Sequence, residues 1–275
     1  MPQETAQVSR RPGRRAYFLI ALFALALVLF PFLFWYNTWF GRALTDADMD
    51  RYFADLDKPR HIQHALVQLG ERMSHGQNAT RWYPRVIAQS KSPGLEIRQT
   101  AAWIMGQDRG SQPFHDALLS LLRDPQPMVR RNAALSLAGF GDTAARPELV
   151  AMLRPYPVIA PRAGPLRYRL KPGDYLNPGT LLARIGESEV RSPVPGEVRA
   201  LNVAEGATVK AGDGIADLAA DGNHVKEALR ALYIVGGAAE LDDVERFTRP
   251  VPGMPEIVVR QARLTIQGIQ SRIPR

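Results

Sequence analysis

Ile97-Arg98-Gln99-Thr100-Ala101-Ala102-Trp103-Ile104-Met105 returns 32 residues later as Val129-Arg130-Arg131-Asn132-Ala133-Ala134-Leu135-Ser136-Leu137. Both copies place apolar residues at helical spacing, with an arginine and small alanines at matched positions. A fainter copy, Ala65-Leu66-Val67-Gln68-Leu69-Gly70, lies 36 residues before the Ala101 copy. A repeat of this length is one helix pair. Such a pair cannot bury its apolar face alone, so neighbours stack side by side into a solenoid.

Working outward, residues 46 to 154 read as short amphipathic helices punctuated by Gly, Pro and Asp. The expected helices run near 46–56, 59–74, 79–90, 95–107, 112–123, 126–139 and 144–153, with Thr45, Ser111 and Asp124 as N-caps. In 126–139, Met128, Val129, Ala133, Leu135 and Leu137 mark the apolar face, with Arg130 and Arg131 between them. The unit Asp124-Pro125…Val129-Arg130-Arg131-Asn132-Ala133-Ala134-Leu135 resembles a HEAT repeat. The resemblance covers residues 58 to 154 and implies a fold that holds protein partners.

At Pro155-Tyr156-Pro157 the character changes to Val, Leu, Gly and Pro, the pattern of short strands joined by tight turns. This segment is also duplicated. Pro161 and Gly164 map to Pro193 and Gly196, and Gly173 and Gly179 map to Gly206 and Gly212. Glycines at such places suit turns that need positive φ. Residues 157 to 219 resemble the biotinyl/lipoyl-type barrel-sandwich hybrid, also used as the β module of HlyD-like membrane-fusion proteins.

Carriers of that family acylate a lysine at the tip of the hairpin joining the halves. The matching segment here, Gly186-Glu187-Ser188-Glu189, has none, while Lys171 and Lys210 sit elsewhere in the half-motifs. The resemblance therefore implies a module without biotin or lipoate. Membrane-fusion proteins usually insert a long helical hairpin between the halves, which is missing here and puts bridging to an outer-membrane channel in doubt.

Residues 223 to 273 return to helix. His224-Val225-Lys226-Glu227-Ala228-Leu229-Arg230-Ala231-Leu232 echoes His61-Ile62-Gln63-His64-Ala65-Leu66-Val67-Gln68-Leu69, and Val258-Val259-Arg260-Gln261-Ala262 echoes the Ile97 copy. These echoes predict that the β module is inserted within, or capped by, one helical layer.

Upstream, residues 16 to 36 contain no charge, and at about 1.5 Å per residue they span about 30 Å, a bilayer's hydrocarbon core. Pro31 is tolerable near a membrane exit, and Trp35, Tyr36 and Trp39 are expected at the far interface. The run is longer than a signal peptide's apolar region and ends without a small-x-small site, so an uncleaved anchor is expected. Arg10, Arg11, Arg14 and Arg15 precede it, whereas Asp46, Asp48 and Asp50 follow. That asymmetry predicts residues 1–15 as a cytoplasmic basic tail and everything downstream outside, in the periplasm of a Gram-negative cell. The short stretch between Trp35 and Thr45 is no long tether, so partners are expected in or on the same membrane.

The net charge of +8 is partly the anchor's flank, and the remainder is dispersed. No Lys/Arg block interleaved with aromatics supports nucleic-acid binding. There is no cysteine, hence no disulfide and no thiolate chemistry. No G-x-S-x-G, Walker A or strand-to-helix G-x-G-x-x-G motif occurs. His61 and His64 lie three apart, but no acidic residue completes an H-E-x-x-H pattern, so hydrogen-bonding roles are expected and no metal. Neither a catalytic residue nor a cofactor or small-molecule ligand is predicted.

The candidate partner-binding set is Arg81, Trp82 and Tyr83, residue types that dominate interface energetics. Trp103, flanked by apolar neighbours, is expected in the core. The chain thus reads as an α+β multidomain protein. Its parts are the anchor (16–36), HEAT-like helices (45–154), a small all-β module (157–219) and C-terminal helices (223–273) that extend the solenoid. The expected function is a non-enzymatic, membrane-anchored scaffold for protein partners. The alternatives are an HlyD-like accessory subunit of a transporter and a HEAT-like lyase or cofactor-handling protein.

Overall fold

The computed structural model describes residues 14–38 and 43–273; the side chains of Ala16 and of residues 35–38 are outside the description. The chain is α+β and divides into two compact units, one ending at Tyr52 and the other running Phe53–Arg275.

The first unit carries α1 (Arg14–Thr38), longer at each end than the uncharged run. Its window Tyr17–Phe34 is long and apolar enough to cross a membrane, and none of it is buried. Pro31 lies inside the helix without ending it. The expected interfacial rings of Trp35, Tyr36 and Trp39, and the arginines Arg10 and Arg11, fall outside the described residues. α2 (Asp46–Ala54) follows. Thr45 Oγ1 accepts from the Asp48 N–H at 3.1 Å, and the Asp48 carboxylate accepts back from Thr45, a reciprocal cap.

In the second unit, α3 (Pro59–Ser74), α4 (Tyr83–Gln89), α5 (Leu95–Met105), α6 (Gln112–Leu121), α7 (Pro127–Gly139) and α8 (Arg146–Met152) form the repeats. α3, α4, α6, α7 and α8 carry Pro59, Pro84, Pro113, Pro127 and Pro147 in their first turns, where a missing N–H costs nothing. The expected single helix over 79–90 is a 3-10 turn (Thr80–Trp82) leading into α4, because Pro84 opens a new helical start. Ser111 caps α6. Asp124 does not cap α7. Pro127 fixes the first helical turn and makes Gln126 the cap, while Asp124 Oδ1 accepts the Gln126 N–H at 2.8 Å to shape the preceding turn.

The repeat is visible in its hydrogen bonds. Arg98 Nη1 donates to the carbonyls of Ser92 and Pro93, and its fork grips Asp124 at 2.7 and 3.1 Å. Arg130, one repeat on, donates to the carbonyls of Asp124 and Pro125 and pairs with Glu148 at 3.0 Å. Each arginine thus ties its own turn to the following repeat.

Residues 156–218 form two four-stranded antiparallel sheets, β1-β8-β6-β3 and β5-β4-β2-β7. The strands are β1 (Tyr156–Ile159), β2 (Gly164–Tyr168), β3 (Tyr175–Leu176), β4 (Leu181–Ile185), β5 (Ser188–Arg191), β6 (Gly196–Leu201), β7 (Thr208–Val209) and β8 (Gly214–Leu218). β1–β4 and β5–β8 are two halves. The first and third strands of each half join the other half's sheet, so the halves interlock. Matched bonds follow the duplication. Gly173 N donates to Val198 O as Gly206 N does to Leu166 O, and Gly179 N donates to Ser192 O as Gly212 N does to Ala160 O. Leu166, Leu182, Val198 and Ile215 meet in a dry core, against which Met128 of α7 packs.

Beyond the β module come α9 (Gly222–Val235), α10 (Leu241–Glu245) and α11 (Glu256–Gln270). The helical stack is continuous across it: α3 packs on α5, α5 on α7, α7 and α8 on α9, and α9 on α11. Polar links reinforce the seams. Ser136 Oγ donates to Ala102 O, Thr265 Oγ1 to Leu229 O, and Arg246 reaches back to Leu153 O.

Candidate functional site

The Arg81-Trp82-Tyr83 set does not form a free patch. Trp82 is 1% exposed and belongs to the core, with the Arg81 and Arg72 guanidinium groups 4.7 and 5.1 Å from its ring centroid. A buried ring with two cations on its faces is a packing element. Tyr83 stacks on Phe114 with centroids 4.1 Å apart, and its hydroxyl donates to Asp108 Oδ2 at 2.8 Å. Burial, together with Asp108, pushes its phenol up to about 12. Only Arg81 of the three is exposed.

Trp103 does the opposite of what its neighbours imply. It is 50% exposed, because α5 turns Ile104 and Met105 inward and leaves Trp103 on the outer flank beside Gly70 of α3. Val67, on the same helix as Gly70, is 38% exposed. Adjacent repeats thus each show an apolar side chain, and one is a tryptophan.

Sequence reasoning missed a cleft of about 910 Å³ where the β module meets the C-terminal helices. Leu153, Tyr175, Phe247, Val251 and Met254 line it, and β6 sets Glu197 and Arg199 on its floor. Both side chains are exposed and make no hydrogen bond or ion pair among the described residues. Tyr175 OH donates to Asp221 Oδ2 at 2.9 Å; burial and this contact raise its pKa. No local motif announces the cleft, since its walls come from segments far apart in the chain.

The hairpin between the halves closes at Gly186-Glu187, with Ile185 opposite Ser188 and Gly186 at φ 57°. Lys171 and Lys210 occupy equivalent-looking turns, each with its N–H donated to the aspartate three residues on (Asp174, Asp213).

The histidines are dispersed. His61 bonds Asp55 at 2.8 Å, His64 is buried, His75 bonds Glu71 O and His115 bonds Asp142 at 2.7 Å. His224 bonds Arg131 at 2.9 Å. Among the described residues no three His, Asp or Glu side chains cluster in a metal-binding arrangement. Arg131, read as lying between apolar positions, is 5% exposed and inside the α7–α9 seam.

Residues 84–160 match the family model of HEAT repeats. The match spans α4 to β1, the segment in which Arg98 and Arg130 repeat their contacts. No curated protein matches the chain.

Proposed function

We propose that this protein is a membrane-anchored, non-enzymatic scaffold that binds protein partners of a membrane complex. Trp103 carries the reading. A half-exposed tryptophan on a solenoid flank, with Val67 on the adjacent repeat, presents the residue type that most often anchors interfaces, while the rest of its ring lies against Gly70. HEAT-like stacking supplies a rigid support for it. The unburied apolar helix α1 supports an anchor, and the flanking charges support an N-terminus inside and the folded unit outside, in the periplasm. A reporter fused after Arg275 that is active only in the cytoplasm would overturn that orientation.

Affinity purification of the full-length chain in several mild detergents tests the scaffold. A stoichiometric protein partner that is lost on Trp103→Ala is the expected result. Recovery of a lone monomer in every detergent would sink the reading.

A second reading has its own support. The interlocked halves of the β module, with exchanged strands and matched turns, agree with a barrel-sandwich of the biotinyl/lipoyl type, as in HlyD-like accessory subunits of transporters. Its hairpin tip, Gly186-Glu187, has no amine to acylate, so an avidin or anti-lipoate blot should stay blank. The accessory-subunit reading predicts loss of substrate export on deletion, and unchanged export of all tested substrates would remove it.

A further inference from the structure

α7, upstream of the inserted β module, and α9, downstream of it, meet at a buried arginine–histidine contact. Arg131 of α7 is buried, its Nη1 lies 2.9 Å from His224 Nδ1 on α9, and its Nε has no acceptor among the described residues. Guanidinium has no acceptor and keeps its charge. Nδ1 must therefore be the acceptor, and the bond exists only while the imidazole is neutral.

We propose that the Arg131–His224 contact is an acid-released latch: neutral His224 ties α7 to α9 across the insertion, and its protonation opens that seam.

The surroundings offer little to neutralise a second cation. Asp221 already caps α9, accepting from the N–H groups of Asn223 and His224, and its other oxygen accepts from Tyr175. Glu148 of α8 is engaged by Arg130 of α7. Tyr156 of β1 lies with its ring centroid 6.0 Å from the Arg131 guanidinium. Glu227 of α9 pairs with Lys226 and Arg230. α11, packed beside α9, begins with Glu256 and continues through Arg260, both exposed. Protonated His224 would thus turn an N–H toward a buried guanidinium whose carboxylate neighbours are committed.

Burial first, and Arg131 second, hold His224 below the ordinary imidazole range, against a smaller pull from Asp221 and Glu227. With its folded value depressed, the unfolded chain binds the proton more readily. The latch is intact above the ordinary value of about 6.5 and is lost as pH falls through the folded value. Opening it loosens the base of the β module, because Met128 of α7 packs on the β core and Asp221 joins the start of α9 to β3 through Tyr175.

Hydrogen exchange on the full-length protein in detergent, at about pH 7.5 and at a lower pH where nuclear magnetic resonance shows His224 protonated, corrected for intrinsic rates, tests this. In the wild type, protection in 127–139 and 222–235 should fall at least about threefold at the lower pH relative to α3 and α5. His224→Gln offers an oxygen to Arg131 at any pH and should abolish that difference. Wild-type protection independent of pH, or a His224→Gln protein as acid-sensitive as the wild type, would overturn the proposal. Should the variant not fold, nuclear magnetic resonance titration of wild-type His224 decides. Protonation with no change at the Arg131 side chain would refute the latch, and coupled changes would support it.

Discussion

Gly179 and Gly196 both belong to the matched glycines of the duplication, at different places within it, and the fold needs them for different reasons. Gly179 has φ 84° with nothing within 4 Å of a would-be Cβ, so its requirement is conformational. Gly196 is not in the left-handed region; a Cβ there would run into the carbonyl oxygen of Ala219. Gly179→Ala should therefore cost about 1–2 kcal/mol. Gly196→Ala should cost about 3 kcal/mol or more, since backbone cannot step aside as a side chain can. Denaturant unfolding of the two variants compares them directly. Tyr83 makes a second residue-scale case. Its raised phenol pKa means that stability is complete below about 10 and declines as pH rises toward about 12. Phenolate absorbance should place Tyr83 near the upper figure, and Tyr83→Phe should remove its share of the alkaline destabilisation.

Among the elements, the arginine repeated in α5 and α7 does unequal work at its two sites. Asp124 receives both nitrogens of Arg98 while nearly buried, whereas the Arg130–Glu148 pair is wetter and is held through one nitrogen. Asp124→Ala removes the carboxylate partner of the mostly buried Arg98 guanidinium and leaves a turn N–H unpaired, and should lose about 3 kcal/mol. Glu148→Ala should lose about 1 kcal/mol. Chemical denaturation of both variants checks the order, and near-equal losses would refute the burial argument. The repeat spacing made both arginines legible, since residues at one helix position meet the same neighbours in each repeat. Their acidic partners were not legible. Asp124 lies in a turn and Glu148 on α8, and no fixed offset connects them to the arginines.

For the whole molecule, the uninterrupted packing of α7 and α8 on α9 makes the β module an insertion in a helical stack. Replacing residues 156–219 by a short Gly/Ser linker should leave a cooperatively melting helical protein, measured by circular dichroism. Collapse to an unfolded chain would show that the module is a structural keystone. Trp103→Ala, by contrast, should leave the protein folded and cost only about 1–2 kcal/mol, because half of the ring is exposed and only the part against Gly70 is lost from packing. Its expected effect is on partner recovery.

What the sequence by itself determined is whatever depends on local period. An uncharged run predicts a spanning helix, matched apolar and arginine positions predict stacked helix pairs, and matched glycines predict duplicated turns, because each rests on neighbours within a few residues. Only the tertiary structure decided which way individual side chains face. Trp82 went to the core and Trp103 to the surface because helix rotation is set by packing against the next repeat, which the period constrains to a broad face and not to a residue. The cleft beneath Val251 and the Arg131–His224 contact were equally hidden. The contact joins helices separated by the inserted β module and the cleft sets that module against the C-terminal helices, and both arise only when the stack closes around it.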